Sequence, residues 1–356
     1  MARPMIAGAM KSVRVVVEDS SQVGEARRTA AALAGEASLG DELSGRLALI
    51  VVEAATNIVR HGQPVDGAEA GGVVLRLLSE DGRTGVEMLA FDRGRGIADV
   101  GAAMQDGYST GGTRGGGLGA IARLSSRFDM VSAPGAGTIV LSQIWTSPAS
   151  PFPRRAADPL LEIGAICLPV RGERSNGDAW VMAMTPEGTT QILIADGLGH
   201  GQFAEEASSS AVRSFVEPGA ASLTDALGRI HAALRTTRGA AVSGARFDPA
   251  RGQIEFGGIG NVAGCIVADR GIRSMVSHNG TAGASARRIA TFSYEWPENS
   301  VAVMHSDGLA SHWKLDRFPG LSRRHPSVIA GVLYRDWARG RDDVTVVVCR
   351  RRAELS

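Results

Sequence analysis

Four aspartates in the C-terminal half of the sequence border short apolar stretches that predict β-strands. They are Asp178 in SNGDAWVMAM, Asp196 in QILIADGLGHG, Asp307 in VAVMHSDGLA and Asp342 in GRDDVTVVVC. Carboxylates at strand ends suit hard divalent cations, because Mg²⁺ and Mn²⁺ prefer oxygen ligands and a sheet fixes the ligand positions. Asp196 alone is equally consistent with a residue that caps the following turn. Four such residues together favour a shared metal site.

A shared site of this kind indicates a particular chemistry. Carboxylates that are brought together repel one another unless cations neutralise them. Two divalent ions can polarise a phosphoryl oxygen and turn a bridging water into a nucleophile near neutral pH. Gly197 directly follows Asp196, and because it lacks a side chain its carbonyl can approach the same ion. The pattern therefore favours metal-assisted hydrolysis of a phosphate ester.

The segments GDAW, ADGLGHG, HSDGL and RDDVTVVV, in this order, resemble the SpoIIE/RsbX branch of the metal-dependent (PP2C-type) serine/threonine phosphatases. The resemblance covers about residues 160–352 and implies a site with two Mn²⁺ or Mg²⁺ ions. It implies that Asp196 bridges both ions and that Gly197 contributes its carbonyl. Asp307 and Asp342 would be ligands of one ion, and Asp178 would serve the other.

Other polar residues in this half are expected to support the site. Asp343 stands where relatives often carry Asn, so the resemblance places it outside the direct ligands. His200 is expected to stabilise the Gly-rich turn, and His305 to pack in the core. The spacing of Gly257–Asn261 predicts only a tight turn, which the resemblance places near the entrance for the phosphoester.

The N-terminal half contains a second set of residues that could do chemistry. Apolar residues at helical spacing predict one amphipathic helix over Asp41–His61. Glu53, Asn57 and His61 follow one another at steps of four and form a polar line beside its buried stripe. On a surface helix such a line is ordinarily the solvated side. The motifs that follow along the chain give it a second interpretation.

Two candidate strands follow this helix, Gly72–Leu78 and Gly85–Phe91, and the second runs directly into the motif DRGRG. This motif places Asp92 at the strand end, and its glycines, Gly94 and Gly96, let a ligand approach the backbone.

The next segment, Asp106–Gly117, is rich in Gly, Ser and Thr and leads into a predicted helix over Leu118–Arg127. Exposed amides at the start of such a helix bind phosphate, aided by the helix dipole. The glycines at this point are Gly115, Gly117 and Gly119.

This order of motifs resembles the Bergerat-type (GHKL) ATPase fold, most closely its anti-sigma-factor serine kinase branch, over about residues 10–146. EAATNIVRHG resembles the N-box, FDRGRG and GGGLGAIARL the two glycine boxes, and APGAGT the closing strand turn. The resemblance implies that Asn57 holds Mg²⁺ on bound ATP and that the loop glycines hold its phosphates. Asp92 would receive the adenine amino group, with Thr138 close to it. Glu53 would act as general base toward a substrate serine.

Composition restricts the class of protein. A length of 356 residues favours two domains, and a net charge of +1 gives no electrostatic case for nucleic acid or an anionic membrane as partner. Three widely spaced cysteines fit a reducing cytosol, and no apolar run suggests a signal peptide or membrane span. We expect a cytoplasmic protein with a first domain over 1–146, a Pro-rich linker over 147–160 and a second domain over 161–356.

These observations predict a two-domain α/β (α+β) protein with a Bergerat α/β sandwich and a PP2C-like α-β-β-α sandwich. The resemblance implies a phosphoserine/phosphothreonine phosphatase with additional serine kinase activity in its N-terminal domain. Its implied partner is an STAS-domain anti-sigma-factor antagonist, a stressosome-type scaffold or a sigma factor.

Two alternatives stay open, a non-catalytic nucleotide-dependent binding module at the N-terminus and a pseudo-phosphatase at the C-terminus. A histidine kinase is excluded, because no histidine precedes His61. The stretch His312–Arg324 is expected to be a surface loop pinned by Trp313 and Phe318, or a contact for a protein substrate.

Overall fold

The computed structural model describes residues 6–7, 12–63, 69–80, 82–105, 117–146, 161–185, 189–268, 271–286 and 288–351. The helices are α1 (Ser20–Glu36), α2 (Asp41–His61), α3 (Val100–Ala103), α4 (Gly117–Leu124), α5 (Gln202–Val216), α6 (Leu223–Ala233) and α7 (Pro326–Trp337). The strands are β1 (Ile6–Ala7), β2 (Ser12–Val16), β3 (Gly71–Glu80), β4 (Arg83–Asp92), β5 (Arg127–Ser132), β6 (Thr138–Trp145), β7 (Leu161–Leu168), β8 (Asp178–Met184), β9 (Thr190–Gly197), β10 (Ala240–Asp248), β11 (Gln253–Ile259), β12 (Ala263–Ala268), β13 (Gly271–Met275), β14 (Gly280–Thr281), β15 (Ser285–Ala286), β16 (Phe292–Glu295), β17 (Val301–His305) and β18 (Val344–Arg351).

The chain forms two compact units, which we call the N-terminal and the C-terminal unit. The N-terminal unit consists of residues 12–153 and 314–332, and the C-terminal unit of residues 1–11, 154–313 and 333–356. A single division at the predicted linker would assign residues 1–11 and 314–332 to the other unit. The predicted linker itself, residues 147–160, lies outside the described residues.

The N-terminal unit is built on one antiparallel sheet in the order β2-β3-β4-β6-β5. Helices α1, α2 and α4 pack on one face of it, over a core that includes Leu47, Ile50 and Met88. Helix α2 carries acidic residues in its first turn and basic residues in its last, which complements the helix dipole. The buried stripe of α2 leaves Glu53 and Asn57 at its margin, where both are half-buried.

The C-terminal unit consists of two sheets packed face to face. Their orders are β1-β8-β9-β10-β11-β16 and β13-β12-β17-β18-β7. Side chains from both sheets, such as Ile194, Phe256 and Val347, form the core between them. Helices α5 and α6 cover the six-stranded sheet, where Ala211 and Leu227 belong to a second core cluster. Mixed helices and strands in two units confirm the predicted fold class.

The sequence also predicts helices over Ser20–Glu36, Gln202–Val216 and Leu223–Thr236. The bounds of Ser20–Glu36, Asp41–His61 and Gln202–Val216 match the structure. Two others are shorter than predicted. The predicted helix Leu118–Arg127 ends at Leu124, because Ser126 donates its amide to the carbonyl of Gln143 and Arg127 begins β5. The predicted helix Leu223–Thr236 ends at Ala233 and continues as a short 3₁₀ turn.

Across the described residues, each helix is too short or too polar to cross a membrane.

Candidate metal centre and nucleotide site

Strand pairing brings two of the predicted metal ligands face to face. Asp178 is the first residue of β8, and its direct partner in the neighbouring strand β9 is Asp196. Like charges in directly opposed positions destabilise a sheet. The pairing therefore places two carboxylates in directly opposed positions at one end of the sheet.

The Asp178 carboxylate is buried and only partly satisfied. Its Oδ2 accepts a hydrogen bond from the Ser306 hydroxyl at 2.6 Å, and its backbone amide donates to Asn176 Oδ1 at 3.0 Å. Its Oδ1 is buried and has no hydrogen-bond partner among the described residues. The Thr345 hydroxyl lies near but donates to Cys167 Sγ at 3.2 Å. A buried oxygen without a donor is costly, and a bound cation would satisfy it.

Asp307 and Asp342 lie at the adjoining ends of β17 and β18. Asp307 Oδ2 accepts a hydrogen bond from the Asn261 side-chain amide at 2.8 Å, which fixes the orientation of that carboxylate. Asp342 Oδ1 accepts the backbone amide of Asp343 at 3.0 Å. Both residues remain half-buried, so their carboxylates are accessible to a ligand.

Asp343 has a different environment from its neighbour. Its Oδ1 accepts the amide of Val170 and its Oδ2 the amide of Gly177, both at 2.7 Å. Both oxygens are therefore used to hold two loops beside Asp178. This agrees with a supporting residue rather than a ligand.

The negative charges of these carboxylates raise one another's pKa values. Burial, followed by the charges of Asp178, Asp307 and Asp342, raises the pKa of Asp196 to about 9. Burial likewise raises the pKa of Asp178 to about 7, although hydrogen bonds oppose it. The pKa of Asp307 is raised by burial and by Asp342. Cations in the cluster would remove this repulsion, because an opposite charge favours the ionised form.

The chemistry of these residues fits a divalent cation, although their described positions do not form a complete ligand set. Among the residues that the structure describes, no three His, Cys, Asp or Glu side chains are arranged as a ligand set. The fit rests instead on the opposed pair Asp178 and Asp196, on the orphaned Asp178 Oδ1 and on all-oxygen donors. Asp178, Asp196, Asp307 and Asp342 thus remain the predicted ligands.

Gly197 ends β9 where helix α5 packs most closely on the sheet. A Cβ at this position would lie 2.1 Å from the carbonyl oxygen of Ala204, so only glycine fits. Its amide donates to the carbonyl of Gly177 at 3.0 Å. Close packing is therefore one reason for this glycine, and the predicted role of its carbonyl as a metal ligand stays a prediction.

The two histidines of this half occupy different environments. His200 is exposed in the turn, with its Nδ1 3.5 Å from Glu173 Oε1. His305 is buried in β17, where its Nδ1 lies 2.8 Å from the carbonyl oxygen of Ser306 and Trp313 packs on its ring. His305 is therefore a core residue, as predicted.

In the N-terminal unit, Glu53 and Asn57 lie together against the start of helix α4. A Cβ on Gly117 would lie 3.2 Å from Asn57 Nδ2 and 3.4 Å from Glu53 Oε2. Gly117 is thus in close contact with both predicted catalytic and Mg²⁺-binding side chains, while Gly119 is buried in the same helix. Gly115 lies outside the described residues.

The DRGRG motif forms the expected turn after β4. The amide of Gly94 donates to Asp92 Oδ1 at 2.9 Å. A Cβ on Gly94 would lie 1.9 Å from the carbonyl oxygen of His61, and one on Gly96 equally close to that of Ala133. Gly96 also has a positive φ of 69°. Both glycines are therefore required by the backbone of the chain itself, a cause that the motif alone did not indicate.

Thr138 begins β6 and is buried close to this turn. Its hydroxyl lies 3.0 Å from the Ser132 hydroxyl, which also accepts the amide of Ile97 at 2.9 Å. This network joins the turn after Asp92 to the strand that carries Thr138. The structure therefore gathers Asp92 and Thr138 at one end of the sheet.

Sequence reasoning did not find that three polar residues contact the predicted metal ligands: Asn176, Ser306 and Asn261. Asn176 and Ser306 contact Asp178, and Asn261 contacts Asp307. Asn176 and Ser306 stand two residues or fewer from a predicted ligand, so their proximity in the motifs was a usable signal. Asn261 lies 46 residues from Asp307. The resemblance placed its turn near the phosphoester entrance, but no local pattern indicated the contact with Asp307.

Comparison with known families gives two matches. Residues 16–143 match the histidine kinase-like ATPase domain, and residues 186–352 match the Stage II sporulation protein E (SpoIIE) family. The serine/threonine-protein kinase RsbT of Bacillus subtilis (strain 168) is 30% identical over 133 residues, which are 37% of this chain and 94% of RsbT.

Solved structures give weaker likenesses. One is a chain of the bacterial stressosome, described as a modular system adapted to control secondary messenger signaling. It has 27% identity and a TM-score of 0.49, and the match covers 53% of this chain and 99% of that one. Another is the PP2C phosphatase domain and regulatory-domain fragment of SpoIIE from Bacillus subtilis, with 17% identity and a TM-score of 0.45 over 94% and 96% of the two chains.

Proposed function

This chain belongs to the histidine kinase-like ATPase family in its N-terminal part and to the SpoIIE family in its C-terminal part, and we propose that it is a metal-dependent protein phosphatase joined to an ATP-binding domain. The reaction is hydrolysis of phosphoserine or phosphothreonine on a protein. The observation that carries this proposal is the opposed pair Asp178 and Asp196 with a buried Oδ1 that lacks a donor.

In the C-terminal unit, some residues would bind the metal ions and others orient those ligands. Asp178, Asp196, Asp307 and Asp342 would hold two Mn²⁺ or Mg²⁺ ions. Such ions supply Lewis-acid polarisation of a phosphoryl oxygen and an activated water near neutral pH. Ser306 and Asn261 orient Asp178 and Asp307 through hydrogen bonds of 2.6 and 2.8 Å. Polar partners of this kind keep ligands in position and tune their basicity.

The N-terminal unit supports binding of ATP with Mg²⁺. Asn57 would hold the ion, Asp92 and Thr138 would contact the adenine, and the glycines at the start of α4 would face the phosphates. Glu53 lies beside Asn57 and Gly117 and would accept the proton of a substrate serine. Serine kinase activity is supported by the similarity to RsbT over 94% of that kinase.

We propose a cytoplasmic signalling role in which the substrate is an STAS-domain anti-sigma-factor antagonist or a stressosome-type scaffold, with a sigma factor as a further partner. The kinase RsbT and the chain from the bacterial stressosome are the relatives that motivate this choice. Phosphorylation and dephosphorylation of one serine without control would only consume ATP. The two activities therefore address different serines, or nucleotide or partner binding favours one of them.

The phosphatase proposal is tested with Asp196→Asn in the full chain. Hydrolysis of p-nitrophenyl phosphate in the presence of Mn²⁺ should be abolished, because the variant loses the carboxylate that faces Asp178. ATP affinity measured in the absence of Mn²⁺ should be nearly unchanged, because the nucleotide-binding residues belong to the other unit. Full hydrolysis by the variant, or absence of hydrolysis by the unmodified protein, would refute the proposal.

The kinase proposal is tested with Glu53→Ala. Transfer of phosphate from ATP to a candidate STAS protein, followed by mass spectrometry of phosphoserine, should stop while ATP still binds. If regulation of the partner survives in this variant, the N-terminal unit is a nucleotide-dependent binding module instead. Glu18→Ala, an exposed carboxylate ahead of helix α1, serves as the matched control.

A further inference from the structure

Residues 314–332, which we call the inserted segment, stand in the sequence between two predicted metal ligands, yet they fold as part of the N-terminal unit. Strand β17 ends two residues before Asp307, and β18 begins two residues after Asp342. The chain therefore leaves the metal centre after one ligand and returns to it just before another.

The chain before and after the inserted segment is joined by a backbone hydrogen bond close to the aspartates. The amide of Arg339 donates to the carbonyl of Gly308 at 2.8 Å. Gly308 in turn packs so tightly on Asp343 that a Cβ would lie 1.9 Å from the carbonyl oxygen of that residue. A shift of either end would therefore move the backbone that carries Asp307 and Asp342.

The inserted segment packs on the face of the N-terminal sheet that lies opposite helices α1 and α2. On β4, Glu87 and Leu89 alternate with residues of the core beneath those helices, so they point to the other face. A Cβ on Gly331 would lie 2.7 Å from Leu89 Cδ2 and 3.3 Å from Ile139 Cγ2. The segment buries six apolar residues: Phe318, Leu321, Val328, Ile329, Ala330 and Val332.

Polar contacts add specificity to this packing. The Ser327 hydroxyl donates to Glu87 Oε2 at 2.7 Å, and Glu87 also accepts bonds from Arg76 and Gln143 at 2.7 Å each. The amide of His325 donates to Asp129 Oδ2 at 2.7 Å. The segment is thus held by both a hydrophobic face and a fully paired buried carboxylate.

The inserted segment contacts β4 and β6, and these two strands also carry the predicted adenine contacts. Leu89 lies three residues before Asp92 on β4, and Ile139 directly follows Thr138 on β6. Ligand binding at these strand ends therefore acts on backbone that the segment touches from the opposite face. Packed side chains and rigid strands of this kind carry coupling between distant sites.

We propose that the inserted segment is an intramolecular docking element through which nucleotide binding changes the positions of Asp307 and Asp342. This inference rests on the proposed function, because it requires both a nucleotide site and a metal site. It makes the outer face of the N-terminal sheet an interaction surface whose partner is this chain itself.

The experiment measures hydrogen exchange in the full chain with Mg²⁺ present throughout, with and without ADP. It also measures p-nitrophenyl phosphate hydrolysis across a series of free Mn²⁺ concentrations, matched between samples with and without ADP. ADP should slow exchange over residues 306–343 and change the apparent Mn²⁺ constant by about fivefold or more, the range of ordinary coupling between sites.

Gly331→Leu should remove both effects of ADP, since the new side chain meets Leu89 and displaces the segment. ADP binding and basal hydrolysis should remain. Gly228→Leu on α6 is the matched control, because a Cβ there meets open space, and it should keep both effects. If Gly331→Leu does not fold, Ser327→Ala takes its place and should at least halve the coupling.

Each result decides the matter. An unmodified protein that binds ADP and Mn²⁺ independently overturns the inference and leaves the proposed function intact. Coupling that persists in full in Gly331→Leu or Ser327→Ala also overturns it. A protein that neither binds ADP nor hydrolyses the ester with Mn²⁺ refutes the proposed function, and the inference falls with it.

Discussion

Two buried carboxylates, Glu87 in the N-terminal unit and Asp178 in the C-terminal unit, differ in how the chain compensates their buried charge. Each belongs to a β-strand and is only 3% exposed. Burial raises the pKa of a carboxyl group, but the charge and hydrogen bond of Arg76 help to lower the pKa of Glu87 below its ordinary value. Burial raises the pKa of Asp178 to about 7, and the charges of Asp343 and Asp342 raise it further.

The difference separates a structural carboxylate from a ligand-binding one. Glu87 accepts hydrogen bonds from Arg76, Gln143 and Ser327, so the chain itself satisfies it. Asp178 faces another carboxylate, Asp196, and its buried Oδ1 has no donor in the described parts of the chain. Burial alone therefore does not mark a functional acidic residue, whereas burial without a compensating donor does.

The largest expected effect is on stability and comes from Glu87→Ala. This variant leaves the buried Arg76 guanidinium without its partner, which typically costs about 3–5 kcal/mol. Urea unfolding of the full chain measures the loss. The matched control is Glu42→Ala, which removes an exposed ion pair with Arg46 and should cost less than about 0.5 kcal/mol. Equal losses in the two variants would contradict the contrast drawn between buried and exposed carboxylates.

Asp178→Ala should instead affect metal binding. We expect the apparent Mn²⁺ constant for hydrolysis to weaken more than about 100-fold, beyond the usual cost of removing a residue that only supports a ligand. The metal-free variant should unfold at the same or higher urea concentration, because a repelling buried charge is gone. Asp248→Ala is the control. Asp248 also ends a strand, but its carboxylate accepts the backbone amide of Arg251 and forms an ion pair with the Arg251 side chain. Unchanged Mn²⁺ dependence in Asp178→Ala would show that this carboxylate resembles Glu87.

A smaller effect is expected for Asn261→Ala. Asn261 holds Asp307 Oδ2 at 2.8 Å, so its loss frees the carboxylate to rotate. The apparent Mn²⁺ constant should weaken about tenfold, the lower end of effects at such supporting residues, while stability changes little. A Mn²⁺ titration of hydrolysis measures this. A stability loss without any change in the Mn²⁺ constant would make Asn261 a purely structural residue.

The smallest effect is a dependence of stability on pH in protein freed of metal by chelation. The folded-state pKa of Asp196, about 9, lies above its ordinary value of 3.8. Stability from this group is therefore present at low pH and is lost as pH rises between those values. We expect the melting temperature to fall by about 3–6 °C, roughly 1.4 kcal/mol for a domain of this size, as pH rises by one unit from about 6 to about 7.

Two measurements check this pH dependence. Asp196→Asn should flatten the profile, and added Mn²⁺ should reverse it, because a cation neutralises the ionised cluster. A metal-free protein whose stability rises steadily over the same range would mean that Asp196 is compensated as Glu87 is.

Much of the fold followed from local patterns in the sequence. The bounds of α1, α2 and α5 agree with prediction because local signals set them: Asp19 caps α1, and apolar spacing marks all three helices. The prediction that Arg127 extends a helix was wrong, because pairing of β5 with β6 outweighs the local helical pattern. Strand-end aspartates were equally visible, since a short apolar run followed by Asp and Gly is a local signal.

The sequence by itself determined the two families, the order of the motifs and the acidic residues that border the strands. Only the tertiary structure decided that Asp178 faces Asp196, that Asn261 orients Asp307 and that residues 314–332 join the N-terminal unit. The physical reason is distance along the chain. Ser327 and Glu87, for example, are 240 residues apart, and no local pattern records which buried donor will reach which acceptor.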